Sequence, residues 1–231
     1  MAYEVTRLSL GGIGNFSCYL LKTNKGFLLI DTGVARLRET LEKQLATAGC
    51  LPGDLNLILL TNGTMDAMGN AAYVRRKYSS KIALHRDDLK MVEQGEYPER
   101  EFCALFPATV YKLFIKRLGQ RMTSALERFT PDLCIEDGFD LSAYGFPATV
   151  LHLPGFTPGS IGVLTHDGKL FSGNTIINQG RSFQIPFVLT TFTTLNKSIE
   201  KLKAERVEMI YPGMGVPLPM RTFLRTARRF S

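Results

Sequence analysis

The stretch LILLTNGTMDAMGNAA at residues 57–72 decides the fold that the sequence predicts. Four apolar residues lead into a polar loop, and small and apolar residues then follow at helical spacing. This pattern predicts a buried strand, a loop and a helix. In open α/β sheets, loops at the carboxyl ends of strands face the binding crevice. Asn62, Thr64 and Asp66 are therefore the first candidate site residues.

The sequence on either side of this stretch continues the α/β pattern. The turn Asn24–Gly26 separates apolar runs at 15–21 and 27–30, which predicts a hairpin. Leucines spaced by four residues predict an amphipathic helix over 35–48. From residue 139 onward, short apolar runs alternate with turns that are rich in Pro and Gly. The sequence therefore predicts an α/β protein with two sets of strands.

Length and composition bound the class of protein. The 231 residues, of which 45% are hydrophobic and 10% aromatic, can bury one large core, so we expect a single domain over 1–231. The first residues lack the apolar core of a signal peptide, and no apolar run approaches the length of a membrane span. These features predict a cytoplasmic protein.

The net charge of +7 is concentrated in two basic stripes. Residues 109–129 hold five basic residues against one acidic residue, and residues 221–231 hold four basic residues. Such stripes suit an anionic partner, although solvated helix faces produce them as well. They lack the interleaving of aromatic and basic residues that is common in nucleic-acid-binding segments, which argues against a nucleic-acid partner.

A helical insertion is predicted between residues 85 and 132. Its apolar side chains fall on one arc of a helix, and its basic side chains fall elsewhere around it. The residues concerned include Phe114, Leu118, Met122, Arg117 and Arg121. We expect the insertion to form a lid over the site, although an ordinary packing helix would show the same pattern.

Five short sequence motifs, in a fixed order along the chain, resemble those of the metallo-β-lactamase superfamily, in its glyoxalase II-like hydrolase branch. The family's metal loop, Thr-His-x-His-x-Asp-His, corresponds to Thr61–Ala67, and its Pro-Gly-His-Thr-Pro-Gly-Ser corresponds to Pro154–Ser160. Its Ser-Gly-Asp-Thr and Pro-Gly-His-Gly correspond to Ser172–Thr175 and Pro212–Gly215, and its Asp-Thr-Gly corresponds to Asp31–Gly33. The resemblance implies a four-layer αββα metallo-β-lactamase sandwich with a helical lid insertion.

The resemblance also implies seven metal-ligand positions in this chain. They are Asn62, Thr64, Asp66, Ala67, Phe156, Asn174 and Met214, and only Asp66 keeps the family's residue type. A catalytic zinc ion needs about three imidazole, thiolate or carboxylate ligands and one open position. We therefore predict that the zinc or iron site of the family is lost, and we assign no metal ligand and no catalytic residue.

Other interpretations of these positions stay open. Asn62, Asp66 and Asn174 offer oxygen atoms to a hard cation, although one full charge makes a weak cage. Asp66 stands just before a helix, where a carboxylate can accept backbone N–H bonds as an N-cap. Asp31 supports the metal loop in the family, but a simple turn at the end of a strand would explain its position equally well.

The three histidines of the chain are widely spaced in the sequence. They are His85, His152 and His166. The sequence gives no sign that they meet, so we expect no new metal or catalytic site from them.

Three hypotheses of function follow from the sequence. The first is a non-catalytic protein that binds a small ligand or regulates a partner. Because Phe156, Met214 and Ala67 make the pocket apolar and the lid adds arginines, the expected ligand is anionic and partly apolar. The second is a metal-independent hydrolase of a small ester, thioester or lactone, and the third is a nucleic-acid-binding protein. Self-association into a homo-oligomer stays open.

Overall fold

The computed structural model describes residues 3–12, 15–99, 101–102, 126–178, 183–184 and 188–227. Its strands are β1 (Glu4–Gly11), β2 (Phe16–Thr23), β3 (Gly26–Ile30), β4 (Leu55–Leu59), β5 (Lys81–His85), β6 (Glu101–Phe102), β7 (Leu133–Ile135), β8 (Ala148–His152), β9 (Ile161–Thr165), β10 (Lys169–Gly173), β11 (Ile177–Asn178), β12 (Phe183–Gln184), β13 (Val188–Leu189), β14 (Met209–Pro212) and β15 (Leu218–Pro219). Its α-helices are α1 (Arg38–Thr47), α2 (Met65–Met68), α3 (Ala71–Tyr78), α4 (Leu89–Glu93), α5 (Phe192–Ala204) and α6 (Met220–Ala227). Short 3-10 helices at Ala35–Leu37 and Arg86–Asp88 precede α1 and α4.

The N-terminal half forms a six-stranded mixed sheet in the order β1-β2-β3-β4-β5-β7. The predicted hairpin is confirmed, because β2 and β3 are antiparallel and Thr23 pairs with Gly26. The pairs β3 with β4, β4 with β5 and β5 with β7 are parallel. Parallel strands need long crossover connections, and α1 and α3 lie within the first two of them. The carboxyl ends of β3, β4 and β5 consequently meet at one edge of the sheet.

The C-terminal half forms a second, five-stranded sheet in the order β15-β14-β10-β9-β8. Strands β10 and β14 are parallel, and the other neighbours are antiparallel. Helix α5 lies in the crossover between the two parallel strands. Two pairs of two-residue strands, β11 with β12 and β6 with β13, lie outside the large sheets.

Three apolar cores separate four layers of secondary structure. Alternate residues of one strand point to opposite faces of a sheet, so Ile58 packs with α1 and α3 while Leu57 packs against the second sheet. The middle core contains Tyr19 from the first sheet and Phe171 from the second. The third core joins the outer face of the second sheet to α5 through residues such as Leu195. The predicted αββα sandwich is therefore confirmed.

The predicted lid is only partly within the described residues. Phe114, Arg117, Leu118, Arg121 and Met122 lie outside them, as do most of the basic stripe at 109–129 and the end of the stripe at 221–231. The expectation of a helix up to residue 132 is wrong for residues 126–132, which form no helix. Buried Leu126 and Phe129 instead anchor this segment in the first core. No described helix is long and apolar enough to cross a membrane.

Candidate functional site

Asp31 fixes the start of the loop that follows β4. Its backbone adopts a left-handed φ of 60°, and its buried carboxylate accepts hydrogen bonds from the backbone N–H and the hydroxyl of Thr61, both at 2.8 Å. Burial raises the pKa of Asp31 to about 7, because the charged carboxylate loses its hydration there. Through these hydrogen bonds, Asp31 connects the end of β3 to the loop after β4.

The residue after Asp31 holds the short helix α2. The backbone N–H and the hydroxyl of Thr32 both donate to the carbonyl of Ala67, each at 2.7 Å. The side-chain amide of Asn70 donates back to the carbonyls of Thr32 at 2.8 Å and Val34 at 3.1 Å. Buried polar groups that are paired in this way keep a loop in one conformation.

A continuous hydrogen-bonded chain connects the polar candidate residues. The side-chain amide nitrogen of Asn62 donates to the Thr61 hydroxyl at 3.1 Å, and the side-chain oxygen of Asn62 accepts from the backbone N–H of Thr64 at 3.0 Å. The Thr64 hydroxyl lies between the Asn62 oxygen and the Asp66 carboxylate. The amide nitrogen of Asn174 donates to the other Asp66 oxygen. We call Asp31, Thr61, Asn62, Thr64, Asp66 and Asn174 the Asp66 cluster.

The interpretation of Asp66 as an N-cap is wrong. Thr64 occupies the N-cap position of α2, and no side chain caps this helix. Asp66 is the second residue of the helix, and its carboxylate accepts from Thr64 and Asn174 instead of from backbone N–H groups. Asn174 follows β10 of the second sheet, so this hydrogen bond joins the two halves of the sandwich.

The apolar candidate residues belong to three different segments of the chain. Phe156 is in the loop between β8 and β9 and is 8% exposed, and Ala67 in α2 is 2% exposed. Met214 follows β14, and its carbonyl accepts from the backbone N–H of Asn178 at 2.9 Å. Asn62 and Asn174 are likewise buried, at 1% and 5% exposed, whereas Asp66 and Met214 are partly exposed.

The residues at the seven positions do not fit the family's zinc centre. Ala67 and Phe156 carry no donor atom, and both oxygens of Asp66 already accept hydrogen bonds. Asn174 turns its amide nitrogen, not its oxygen, towards Asp66. Zinc prefers imidazole, thiolate and carboxylate ligands, and neutral amides and hydroxyls bind it poorly. A hard cation at Asn62, Asp66 and Asn174 stays an open alternative.

Asp88 is a structural residue that the sequence did not indicate. Its fully buried carboxylate accepts from the backbone N–H of Gly63 at 2.8 Å, the backbone N–H of Gly159 at 2.7 Å and the Thr157 hydroxyl at 2.6 Å. Burial raises the pKa of this carboxyl group. A Cβ atom at Gly159 would stand 2.7 Å from the Asp88 carboxyl carbon, so this close approach requires glycine. Asp88 therefore connects the loop after β4 to the loop after β8.

The expectation that the histidines lie apart is wrong for His85 and His152. Their rings stack with centroids 4.0 Å apart and planes 11° from parallel. A carboxylate oxygen of Asp87 lies 3.7 Å from Nδ1 of His85 and 3.9 Å from Nε2 of His152. Each histidine ends a strand, β5 in one sheet and β8 in the other, and that position is the one sequence signal for their meeting. His166 lies in the turn after β9, as predicted, and is exposed.

His85, Asp87 and His152 form a group that could hold a metal ion. Their ligand atoms all lie within 4.8 Å of one another. Burial lowers the pKa of His85, and neighbouring His152 lowers it further. We call these three residues the histidine cluster.

Comparisons with known proteins agree with this architecture. The sequence model of the family described as Metallo-beta-lactamase superfamily matches residues 11–213. Hydroxyacylglutathione hydrolase GloC of Haemophilus influenzae is 29% identical over 149 residues, which cover 63% of this chain and 62% of that protein. Beta-lactamase-like protein 2 homolog of Drosophila melanogaster is 25% identical over 204 residues, which cover 85% of this chain and 57% of that protein. The crystal structure of a metallo-beta-lactamase family protein from Thermus thermophilus superposes with a TM-score of 0.75 at 19% identity, covering 98% of this chain and 79% of that one.

Proposed function

The chain belongs to the metallo-β-lactamase superfamily, and we propose that it is a member in which a hydrogen-bonded chain has replaced the dinuclear metal centre. The hydrogen bond from Asn174 to Asp66 carries this proposal. In the family, by the resemblance, the residues at these two positions are carboxylates that share metal ions. Here an amide donates directly to the carboxylate, and no ion is needed to join the two sheets.

The activity that follows from this replacement is binding rather than hydrolysis. A hydroxide nucleophile at neutral pH depends on a metal ion that lowers the pKa of bound water, and the Asp66 cluster offers one carboxylate with both oxygens already hydrogen-bonded. The proposed role is non-catalytic binding or regulation, with an anionic and partly apolar small molecule as the ligand class. The apolar side chains of Ala67, Phe156 and Met214 support that ligand class, because they favour ligand carbon over water.

A metal-independent hydrolase is the second candidate, and one observation favours it. A relative with 29% identity is a hydroxyacylglutathione hydrolase by name. That match covers less than two thirds of either protein, so its activity is only a hypothesis for this chain.

A turnover assay separates the two candidates. We expect no hydrolysis of a hydroxyacylglutathione, a nitrophenyl ester or a lactone above the uncatalysed rate, with zinc or with chelator, while the Haemophilus relative serves as the positive control. A second control restores the family's ligands by Asn62→His, Thr64→His, Ala67→His, Phe156→His, Asn174→Asp and Met214→His. Zinc-dependent turnover by the wild type that Asp66→Ala abolishes would overturn the proposal, and turnover that chelator leaves unchanged would establish the second candidate.

A ligand screen tests the binding role. Acyl and nucleotide ligands are expected to raise the melting temperature of the wild type and to have less effect on Phe156→Asp, which places a charge on the apolar part of the pocket. If no ligand distinguishes the two proteins, Phe156 closes the centre and the function lies on the outer surface. Salt-dependent binding of an oligonucleotide would instead favour the nucleic-acid hypothesis.

A further inference from the structure

The histidine cluster combines ligand types that zinc-type ions prefer. Two imidazoles and one carboxylate are the protein ligands of many catalytic zinc and non-haem iron sites, with the other positions open to water. Asp87 is exposed, His152 is half-buried and His85 is buried, so the cluster runs from the interior to the surface. An ion could therefore reach it from solvent.

The state of His85 suits metal binding. The backbone N–H of Asp87 donates to Nδ1 of His85 at 3.3 Å, so Nδ1 carries a lone pair and not a proton, and an ion that binds this lone pair replaces that long hydrogen bond. A metal-binding imidazole nitrogen must be unprotonated in the same way. The same nitrogen faces the Asp87 carboxylate at 3.7 Å.

His152 has to move before it can bind the same ion. Imidazole lone pairs lie in the ring plane, and the planes of two stacked rings do not converge on one point. Nε2 of His152 also contacts the Pro158 carbonyl at 2.8 Å, which requires a proton on that nitrogen. Tetrahedral zinc places its ligand atoms about 3.3 Å apart, so the distances of 3.7 and 3.9 Å have to shorten by about half an ångström. A tilt of the half-buried His152 ring, with transfer of its proton to solvent or to Nδ1, meets these requirements.

We propose that His85, Asp87 and His152 form a binding site for one divalent transition-metal ion of the zinc type. The site is separate from the seven family positions, because it uses the ends of β5 and β8 and none of the residues of the Asp66 cluster. The backbone at His152 stays fixed when its ring tilts, because its N–H donates to Asp137 at 2.7 Å and Asp137 pairs with Lys201 at 2.6 Å. Ion binding therefore breaks the hydrogen bond from Nε2 of His152 to the Pro158 carbonyl, which lies in the loop that carries Phe156.

Zinc titration with a calorimetric and a spectroscopic readout tests the site. We expect one Zn²⁺ per chain in chelator-stripped protein. Because the chain has three histidines, long-range proton–nitrogen NMR can follow every imidazole, and zinc should shift the signals of His85 and His152 but not that of His166. The His152 spectrum should also report the loss of the Nε2 proton, which a purely structural role for this residue would not produce.

Matched variants make the result decisive. Asp87→Asn changes an exposed residue and should fold normally, and it should weaken zinc binding at least about tenfold, as should His85→Gln and His152→Gln. Three control variants should leave the zinc affinity within about twofold, because the site uses none of the groups that they remove. These are the exposed imidazole in His166→Gln, the exposed thiol in Cys134→Ser and the family carboxylate in Asp66→Asn. Equal zinc affinity in the wild type and a His85→Gln, His152→Gln double variant would overturn the proposed site. Loss of zinc in Asp66→Asn alone would contradict the proposed function instead, so the two failures can be told apart.

Discussion

The Asp66 cluster and the histidine cluster occupy neighbouring strand ends but leave their polar atoms in different states. In the Asp66 cluster, each donor is matched by an acceptor of the next residue, from Thr61 through to Asn174. In the histidine cluster, Nδ1 of His85 accepts a long hydrogen bond from a backbone N–H and Nε2 of His152 contacts the Pro158 carbonyl, but the Asp87 carboxylate stands 3.7 to 3.9 Å from these two nitrogens, beyond hydrogen-bond length. On the two proposals made above, the side chains of the first cluster satisfy one another, whereas the Asp87 carboxylate of the second does not hydrogen-bond to the two imidazoles, so an ion could join all three.

The largest expected effect comes from Asp88, which lies between the two clusters. Asp88→Ala leaves three buried donors, on Gly63, Thr157 and Gly159, without their acceptor. We expect the free energy of unfolding to fall by about 4 kcal/mol in urea denaturation. With chelator present, so that no ion binds the histidine cluster, exposed Asp87→Ala is the matched control and should change it by less than about 0.5 kcal/mol. A loss below about 1 kcal/mol for Asp88→Ala would show that the two loops do not depend on this carboxylate.

A pH series tests the buried end of the Asp66 cluster. The folded-state pKa of Asp31 is about 7, above its ordinary value of 3.8. Between these values the folded protein keeps a proton that the unfolded chain has released, so stability falls as the pH rises. We expect the wild type to lose about 3 kcal/mol relative to Asp31→Asn between pH 4 and pH 8. Parallel pH profiles for the two proteins would mean that Asp31 is ionised throughout.

A charge swap tests the hydrogen bond between Asn174 and Asp66. Asn174→Asp places two carboxylates in contact and should cost about 2 kcal/mol at pH 7 in the presence of chelator, and less at pH 4, where one of them binds a proton. The double variant Asp66→Asn, Asn174→Asp restores one amide and one carboxylate and should recover at least about half of that loss. Additive losses in the double variant would argue that the two side chains do not interact.

The smallest expected effect is that of chelator on a variant without the histidine cluster, in which only the family positions could hold an ion. In a His85→Gln, His152→Gln double variant, chelator should change the melting temperature by less than about 1 °C, because the Asp66 cluster holds no ion whose removal could destabilise the fold. A fall of several degrees in this variant would reveal an ion at the family positions, including the hard cation considered for Asn62, Asp66 and Asn174.

Local patterns predicted much of the fold, because they depend on residues close in sequence. The hairpin at Thr23–Gly26 and the helix near 38–47 follow from turn chemistry and from leucine spacing. The meeting of Asp31 with the loop after β4 follows from parallel neighbours, whose carboxyl ends share one edge of a sheet. The family resemblance predicted that two sheets stack between two layers of helices.

The contacts between the two sheets could not be predicted in the same way. His85 and His152 are far apart in the chain, and their stacking depends on how one sheet lies across the other. The same reason explains why the cap interpretation of Asp66 failed, since Asn174 arrives from the second sheet to take the place of the backbone N–H groups. The role of Asp88 was not predicted, because the groups that donate to its carboxylate lie in two loops, one after β4 and one after β8.

The hydrogen bond between Asn174 and Asp66 also bears on how this chain could change over evolutionary time. Hydrogen bonds link neighbouring side chains along the cluster, so a single change towards the family's ligands breaks one of them before any ion can compensate. Asn174→Asp, for example, restores a ligand but first creates a repulsive pair with Asp66. Under the proposed function, restoring a dinuclear centre therefore passes through less stable intermediates, which disfavours reversion by single substitutions.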